Sequence, residues 1–91
     1  MAWTIDYSDI SLKQLKKMNK SVARNIVDYM EEKIKPLKDP RVTGKGLSFN
    51  KSGLWRYRIG DYRAICQIND EKIIIMVLEV GHRKEIYDTS N

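Results

Sequence analysis

The sequence predicts a small α+β fold, in which a helix hairpin packs on one face of an antiparallel-rich sheet. Two successive segments near the start of the chain carry apolar residues at helical spacing. Three later segments have the apolar and aromatic content of strands and are separated by tight turns. With 91 residues the chain has the length of one compact domain, so we expect residues 1–91 to form a single domain.

The order of the first elements follows from local signals. Residues 2–7 alternate in polarity, which predicts a short N-terminal strand, and Ser8 or Asp9 then caps a helix. Pro36 has no backbone N–H and therefore ends or kinks a second helix. The apolar positions at helical spacing are Leu12, Leu15 and Met18 in the first helix and Val22, Ile26, Met30 and Ile34 in the second.

The second half of the chain predicts a three-strand meander. Residues 39–53 are dense in turn formers, so we expect an irregular crossing segment anchored by Leu47 and Phe49. Tight turns at 60–61 and 70–71 then separate the predicted strands, which are Leu54–Ile59, Tyr62–Asn69 and Lys72–Val80.

Side-chain alternation divides this meander into two faces. The face expected to pack beneath the helices holds Trp55, Tyr57, Ile59, Tyr62, Ala64, Cys66, Ile68, Ile74, Met76, Leu78 and Val80. The opposite face holds Arg56, Arg58 and Arg63, joined by Arg83 if the last strand continues. Glu79 is the plausible acidic partner on that face, and one carboxylate cannot neutralise all of these arginines. The arginines therefore form either a solvated surface or a surface that binds phosphate. Arginine without lysine across residues 54–68 favours phosphate, because guanidinium groups bind it bidentately.

Composition narrows the partner and the compartment. The net charge of +5 favours an anionic partner, first nucleic acid and second an acidic protein. A lone cysteine, Cys66, excludes an intramolecular disulfide, and no cluster of Cys and His has metal-ligand spacing, so neither metal nor cofactor is expected. No signal peptide or membrane-spanning apolar run is present, which predicts a cytoplasmic protein without a membrane partner.

Several further side chains are candidates for function. His82 is the only histidine, and its ordinary pKa suits proton transfer near neutral pH, although a lone histidine is as readily structural. Tyr87 shares the parity of Arg83 and either contacts RNA or anchors the C-terminal segment. The candidate RNA-binding lysines are Lys13, Lys16, Lys17 and Lys20 on the first helix and its loop, and Lys45 in the crossing segment.

The motifs DPRVTGKGL, GLWRYRIGDYRAICQI and LEVGHRKEIYD follow a short strand and a helix hairpin. In this arrangement the chain resembles the RelE branch of the RelE/ParE toxin superfamily over essentially its whole length. The resemblance implies a toxin of a type II toxin–antitoxin system, with a cognate antitoxin as its partner. It further implies a metal-independent endoribonuclease that enters the ribosome, cleaves mRNA in the A site and inhibits translation.

The same resemblance assigns the catalytic positions to Arg56, Arg58, Arg63, Arg83 and Tyr87. Arginine stands here at a pair of positions where the family pattern has lysine, and a guanidinium with a pKa above about 12 is a poor proton acceptor. Tyr87 and His82 are therefore the candidates for proton transfer. Two alternatives remain open: a ParE-like toxin that inhibits DNA gyrase by binding it, and a non-catalytic RNA-binding module.

Overall fold

The computed structural model describes residues 2–47 and 53–84. In chain order the elements are β1 (Thr4–Tyr7), α1 (Asp9–Lys17), α2 (Lys20–Tyr29), β2 (Lys45–Gly46), β3 (Leu54–Ile59), β4 (Tyr62–Asn69) and β5 (Ile74–His82). Within the described ranges the strands form a five-stranded sheet of order β1-β5-β4-β3-β2. β1 runs parallel to β5 and the other neighbours are antiparallel, so the predicted α+β class is confirmed.

Side-chain caps fix where the helices begin. Ser8 Oγ accepts a hydrogen bond from Ser11 N at 3.0 Å, so Ser8 is the residue that caps α1. Asn19 Oδ1 accepts a bond from Ser21 N at 2.9 Å at the start of α2. α2 continues into a π-helical turn, Met30–Ile34, whose two end residues are fully buried. The hairpin therefore keeps its apolar face on the sheet beyond the end of the regular helix.

The core lies between this helix hairpin and one face of the sheet. Burial raises the pKa of the Cys66 thiol well above its ordinary value, so Cys66 acts as a small apolar packing residue. The fully buried hydrophobic side chains are Ile26, Met30 and Ile34 from the helical layer and Tyr57, Ala64, Cys66, Ile75, Val77 and Val80 from the sheet.

The first half of β5 corrects the predicted core face. Ile75 and Val77 are fully buried in the core, whereas Ile74, Met76 and Leu78, which strict alternation assigns to the core, are only partly buried and lie outside it. The reason is a β-bulge in β5, which reverses the parity of the strand midway. β5 also begins at Ile74 and not at Lys72, because residues 70–73 form the turn.

The crossing segment is more ordered than its composition predicts. It contains a 3₁₀ turn, Pro40–Val42, and the short strand β2, which pairs with β3. Its anchor is Pro40, which is buried and whose carbonyl accepts a bond from Tyr57 Oη at 2.6 Å. Leu47 is only half-buried, and Phe49 lies outside the described residues. In the described part of the segment the anchor is therefore Pro40 and not Leu47, which corrects that part of the prediction.

A close backbone approach explains the glycine at the edge of this segment. Gly44 has φ +83°, and a Cβ atom there would lie 2.5 Å from the carbonyl oxygen of Arg56. Trp55 Nε1 donates to Thr43 O at 2.7 Å immediately beside it. Glycine thus allows the segment to lie against β3 and pair with it. Between residues 2 and 47 and between 53 and 84, no helix is long and apolar enough to cross a membrane.

Candidate functional site

The sheet surface opposite the helices carries Arg56 and Arg58 from β3 and Arg63 from β4, a group that we call the arginine face. Arg58 lies directly opposite Arg63 in the β3–β4 ladder. Lys45 lies opposite Arg56 in the β2–β3 ladder and so adds a cation to the same face. Strand pairing therefore gathers four cationic positions on a surface that the core does not use.

Arg56 is the most enclosed of these cations. Its exposed fraction is only 9%, and Ile65, opposite it on β4, is buried as well. Burial, followed by the charges of Arg63 and Arg58, lowers the pKa of Arg56. Arginine stays protonated at neutral pH even so. Arg56 is thus the buried member of a group in which Arg58 and Lys45 are exposed and Arg63 is half-buried.

Arg83 joins this surface from the end of β5. Gly81 lies opposite Arg63 and His82 opposite Tyr62, and Arg83 N donates to Asp61 O at 2.9 Å, which continues the pairing by one more position. Alternation along the strand then places position 83 on the same side as the arginine face. The side chain of Arg83 is exposed, so it is available to a ligand that binds there.

His82 points to the other side of the sheet from Arg83. It lies opposite Tyr62, and the two rings meet edge to face with centroids 5.3 Å apart. His82 Nδ1 accepts a hydrogen bond from Lys84 N at 3.1 Å. A neutral imidazole with this bond carries its proton on Nε2. In this arrangement His82 can donate a hydrogen bond through Nε2, and neither ring nitrogen is left to accept a proton from a substrate.

The predicted lysines fall on different surfaces. Lys45 lies at the arginine face, as described above. Lys13, Lys16, Lys17 and Lys20 are exposed on the helical layer, which covers the opposite face of the sheet. The structure therefore does not bring them together with the arginines. Tyr87 lies outside the described residues, and the roles proposed for all these side chains stay predictions.

An open cleft of about 300 Å³ runs along the edge of β3. Thr43, Gly44 and Lys45 line one side of it, and Arg56, Arg58 and Tyr29 complete the lining. The cleft thus has three cationic residues in its lining, Lys45, Arg56 and Arg58. Across residues 2–47 and 53–84, no group of three or more His, Cys, Asp or Glu residues is placed to hold a metal ion.

The residues that hold the end of β5 carry no functional signal in the sequence. Ser8 Oγ donates to Leu78 O at 2.7 Å, and Gln14 Oε1 accepts from Val80 N at 2.7 Å. These partners are separated by 70 and 66 positions along the chain. Neither residue belongs to a motif, and no local signal in the sequence points to the contact.

The sheet order and the covering helix hairpin are those of the solved RelE-like toxin structures. Residues 5–87 match the family described as "ParE toxin of type II toxin-antitoxin system, parDE". The chain belongs to this family, and it is a RelE-type toxin of a type II toxin–antitoxin system.

Individual relatives agree with this assignment. The chain is 26% identical to Toxin RelG of Mycobacterium tuberculosis over 87 residues, which cover 96% of this chain and 98% of the relative. It is 28% identical to the mRNA interferase toxin RelE of Escherichia coli over 90 residues, covering 96% and 92%. The crystal structure of the toxin–antitoxin complex RelBE2 from Mycobacterium tuberculosis contains a chain with the same fold. That chain has a TM-score of 0.83 and 24% identity, with 91% of this chain and all of the other covered.

Proposed function

We propose that this toxin is a ribosome-dependent, metal-independent endoribonuclease that acts in the cytoplasm and cleaves mRNA in the ribosomal A site. The observation that carries the proposal is the arginine face, a set of aligned cations with one member largely withdrawn from water. The set lies on the face of the sheet that the core does not use. The name of the Escherichia coli relative, an mRNA interferase, supports the same activity.

The proposed reaction uses a nucleophile that RNA itself supplies. The 2′-hydroxyl oxygen attacks the adjacent phosphorus and forms a 2′-O–P bond, while the P–O5′ bond breaks. The products are a 2′,3′-cyclic phosphate and a 5′-hydroxyl end, and one proton passes from the 2′-oxygen to the departing 5′-oxygen. Arg56, Arg58, Arg63 and Arg83 would stabilise the charge that develops on the phosphate oxygens. Fixed guanidinium charges supply this stabilisation without a metal.

Proton transfer is assigned to Tyr87, with His82 in a secondary role. Guanidinium groups hold their protons too firmly to act as bases. His82 faces away from the arginines and its Nδ1 is engaged by Lys84 N, so it is suited to orienting through Nε2 and not to accepting the 2′-proton. A site without a strong base would be slow on free RNA. The ribosome would then contribute by aligning the 2′-oxygen, the phosphorus and the leaving oxygen.

An antitoxin is the second proposed partner. Solved structures with this fold include toxin–antitoxin complexes from Mycobacterium tuberculosis and Escherichia coli. The toxin should inhibit growth when it is expressed alone and should accumulate only with its antitoxin, which would cover part of the arginine face. High-yield expression of the unmutated chain in growing cells, without harm, would count against this proposal.

The decisive experiment maps RNA ends and DNA topology in one culture after brief induction. We expect cuts confined to translated regions and ending in 2′,3′-cyclic phosphate, and cleavage on purified ribosomes that persists in a chelator at concentrations the ribosomes tolerate. Intact mRNA together with gyrase-linked DNA breaks would contradict the proposal and favour the ParE-like function. The matching family is itself described as a ParE toxin. If neither mRNA cuts nor DNA breaks are found, the remaining alternative is a non-catalytic RNA-binding module.

A further inference from the structure

The register between β4 and β5 changes midway along the strands. From Asn69–Ile74 to Cys66–Val77 the pairs follow one register, and from Ile65–Glu79 onward they follow another. Leu78 is therefore an extra residue in β5 that has no partner in β4. An extra residue of this kind is a β-bulge, and bulges commonly re-aim the side chains that follow them.

The bulge lies where β5 loses its other neighbour. β1 ends at Tyr7, which pairs with Val77, so the outer edge of β5 is left without a strand beyond that point. The residues that begin and continue α1 take the place of the missing strand. Ser8 N donates to Val77 O at 2.9 Å, Ser8 Oγ donates to Leu78 O at 2.7 Å, and Gln14 Oε1 accepts from Val80 N at 2.7 Å. We call Ser8 and Gln14 the bulge clamp.

The clamp satisfies backbone groups on the outer edge of β5, which has no neighbouring strand after β1 ends at Tyr7. Val80 is 1% exposed, and its amide would lose a hydrogen bond in a nearly dry position if Gln14 were absent. The Ser8 hydroxyl makes two hydrogen bonds: it donates to Leu78 O, and it accepts from Ser11 N as the cap of α1. The start of α1 and the bulge in β5 are consequently one hydrogen-bonded unit.

The extra residue decides which side chains face the helices. Before the bulge the odd positions Ile75 and Val77 lie in the core, and after it the even position Val80 does so. Uninterrupted alternation from Val77 would carry position 83 to the helical side of the sheet. With the bulge, position 83 lies on the side of Arg63. The bulge is thus the feature that adds Arg83 to the arginine face.

We infer that Gln14, acting with Ser8, is a positioning residue for the ribonuclease site: it holds the bulge and thereby the placement of Arg83. This inference rests on the proposed function. Gln14 sits in the helical layer and acts only through the backbone of β5. Its loss should leave the other arginines in place, slow the chemical step and leave ribosome binding unchanged.

The test compares two substitutions at one site. Gln14→Met keeps the length of the side chain but removes the acceptor, and Gln14→Glu restores an acceptor oxygen. Misplacement of a catalytic group by about 1 Å costs up to about 100-fold. We expect Gln14→Met to lower kcat for cleavage of ribosome-bound mRNA about 10- to 100-fold with KM for ribosomes within about 2-fold of the unmutated value. Gln14→Glu should recover most of the rate.

A packing control separates position from stability. Leu15 is the neighbour of Gln14 on α1 and packs against the core. Leu15→Ala should lower the melting temperature without changing kcat at temperatures where the variant is folded. If Gln14→Met fails to fold, Ser8→Asp takes its place, because aspartate keeps the cap acceptor but cannot donate to Leu78 O.

Nuclear magnetic resonance gives a readout that does not depend on activity. In Gln14→Met the amide signals of Val80 and Gly81 and the ring signals of His82, which packs on Tyr62, should shift. In Leu15→Ala they should stay in place. Unchanged signals and rate in Gln14→Met, an equal rate loss in Gln14→Glu, or the same rate loss in Leu15→Ala would each overturn the inference. An unmutated protein that does not cleave RNA would overturn the proposed function instead, while the signals would still report whether the clamp holds the bulge.

Discussion

Arg58 on β3 lies directly opposite Arg63 on β4, so a cross-strand pair carries two guanidinium groups out of the same face of the sheet. Like charges at directly opposed positions destabilise a sheet by roughly 0.2–1 kcal/mol. On the proposed function, this surface binds a phosphate group. A phosphate group between the two strands would convert the repulsion into a binding contribution.

Replacing Arg58 should separate stability from activity. We expect Arg58→Ala to leave the melting temperature unchanged or up to about 5 °C higher, because one member of the like-charge pair is removed. Cleavage of ribosome-bound mRNA should fall about 100-fold. Thermal denaturation and a cleavage assay measure the two effects. Arg24→Ala is the matched control, because Arg24 is exposed on α2, in the other layer. A marked loss of stability in Arg58→Ala would show that Arg58 is structural.

Arg63→Ala and Arg83→Ala should each lower the cleavage rate about 100- to 1,000-fold without unfolding the protein. Each removes a preorganised donor to the charged transition state. Circular dichroism would check the fold and a single-turnover assay the rate. If both variants fold and are still fully toxic, the arginine face is not the catalytic site.

Tyr57→Phe should destabilise the protein by about 1–2 kcal/mol in urea denaturation. The hydroxyl of Tyr57 is buried and donates to Pro40 O at 2.6 Å, so its removal leaves a buried carbonyl without that partner. Burial also raises the pKa of Tyr57, which keeps the hydroxyl protonated as a donor. Tyr62→Phe, at a half-buried tyrosine of β4, is the control and should change stability less. Equal losses would show that the bond to Pro40 is not what holds the crossing segment.

The Arg41–Asp70 pair should contribute stability at neutral pH and lose it in acid. Arg41 Nη1 and Nη2 donate to the two carboxylate oxygens of Asp70 at 3.0 and 2.9 Å, and this hydrogen bonding lowers the pKa of Asp70. A lowered pKa means that the contribution is fully present above the unfolded value of about 3.9 and disappears as pH falls through the folded value. Melting temperatures of the unmutated protein and Asp70→Asn should therefore differ at pH 6 and converge near pH 2. A constant difference across this range would argue against the ion pair.

Much of the fold was predictable because its signals are local. The helical spacing of Ile26, Met30 and Ile34 and the turns around the β3–β4 hairpin mark their elements directly. Alternation in β3 and β4 was enough to separate the arginine face from the core. The core face of β5 was not predictable in the same way, because residues 73–78 are all apolar and an apolar run carries no parity.

The rest depends on contacts that are distant in sequence. β2 has two residues and therefore no periodicity to detect, and its pairing depends on Gly44 and Trp55 meeting across the segment. The bulge in β5 is held by Gln14, which looks like an ordinary polar helix residue until the sheet is assembled. The predicted alternation is wrong before Leu78, and the bulge at Leu78 brings the strand back into agreement with it. Position 83 was therefore assigned to the correct side of the sheet.

The parallel pairing of β1 with β5 sets the order in which the toxin can become functional during its own synthesis. Thr4 pairs with Ile74, and Ser8 donates a hydrogen bond to Leu78. The first strand and the start of the first helix therefore cannot make these contacts until the residues 70 positions later have been synthesised. Contacts this distant carry a large loop-closure cost and form late in folding. While the chain is being translated, β5 is therefore not yet paired with β1 or bonded to the start of α1. On the proposed function, the cleavage site would therefore be incomplete until the residues of β5 have emerged from the ribosome.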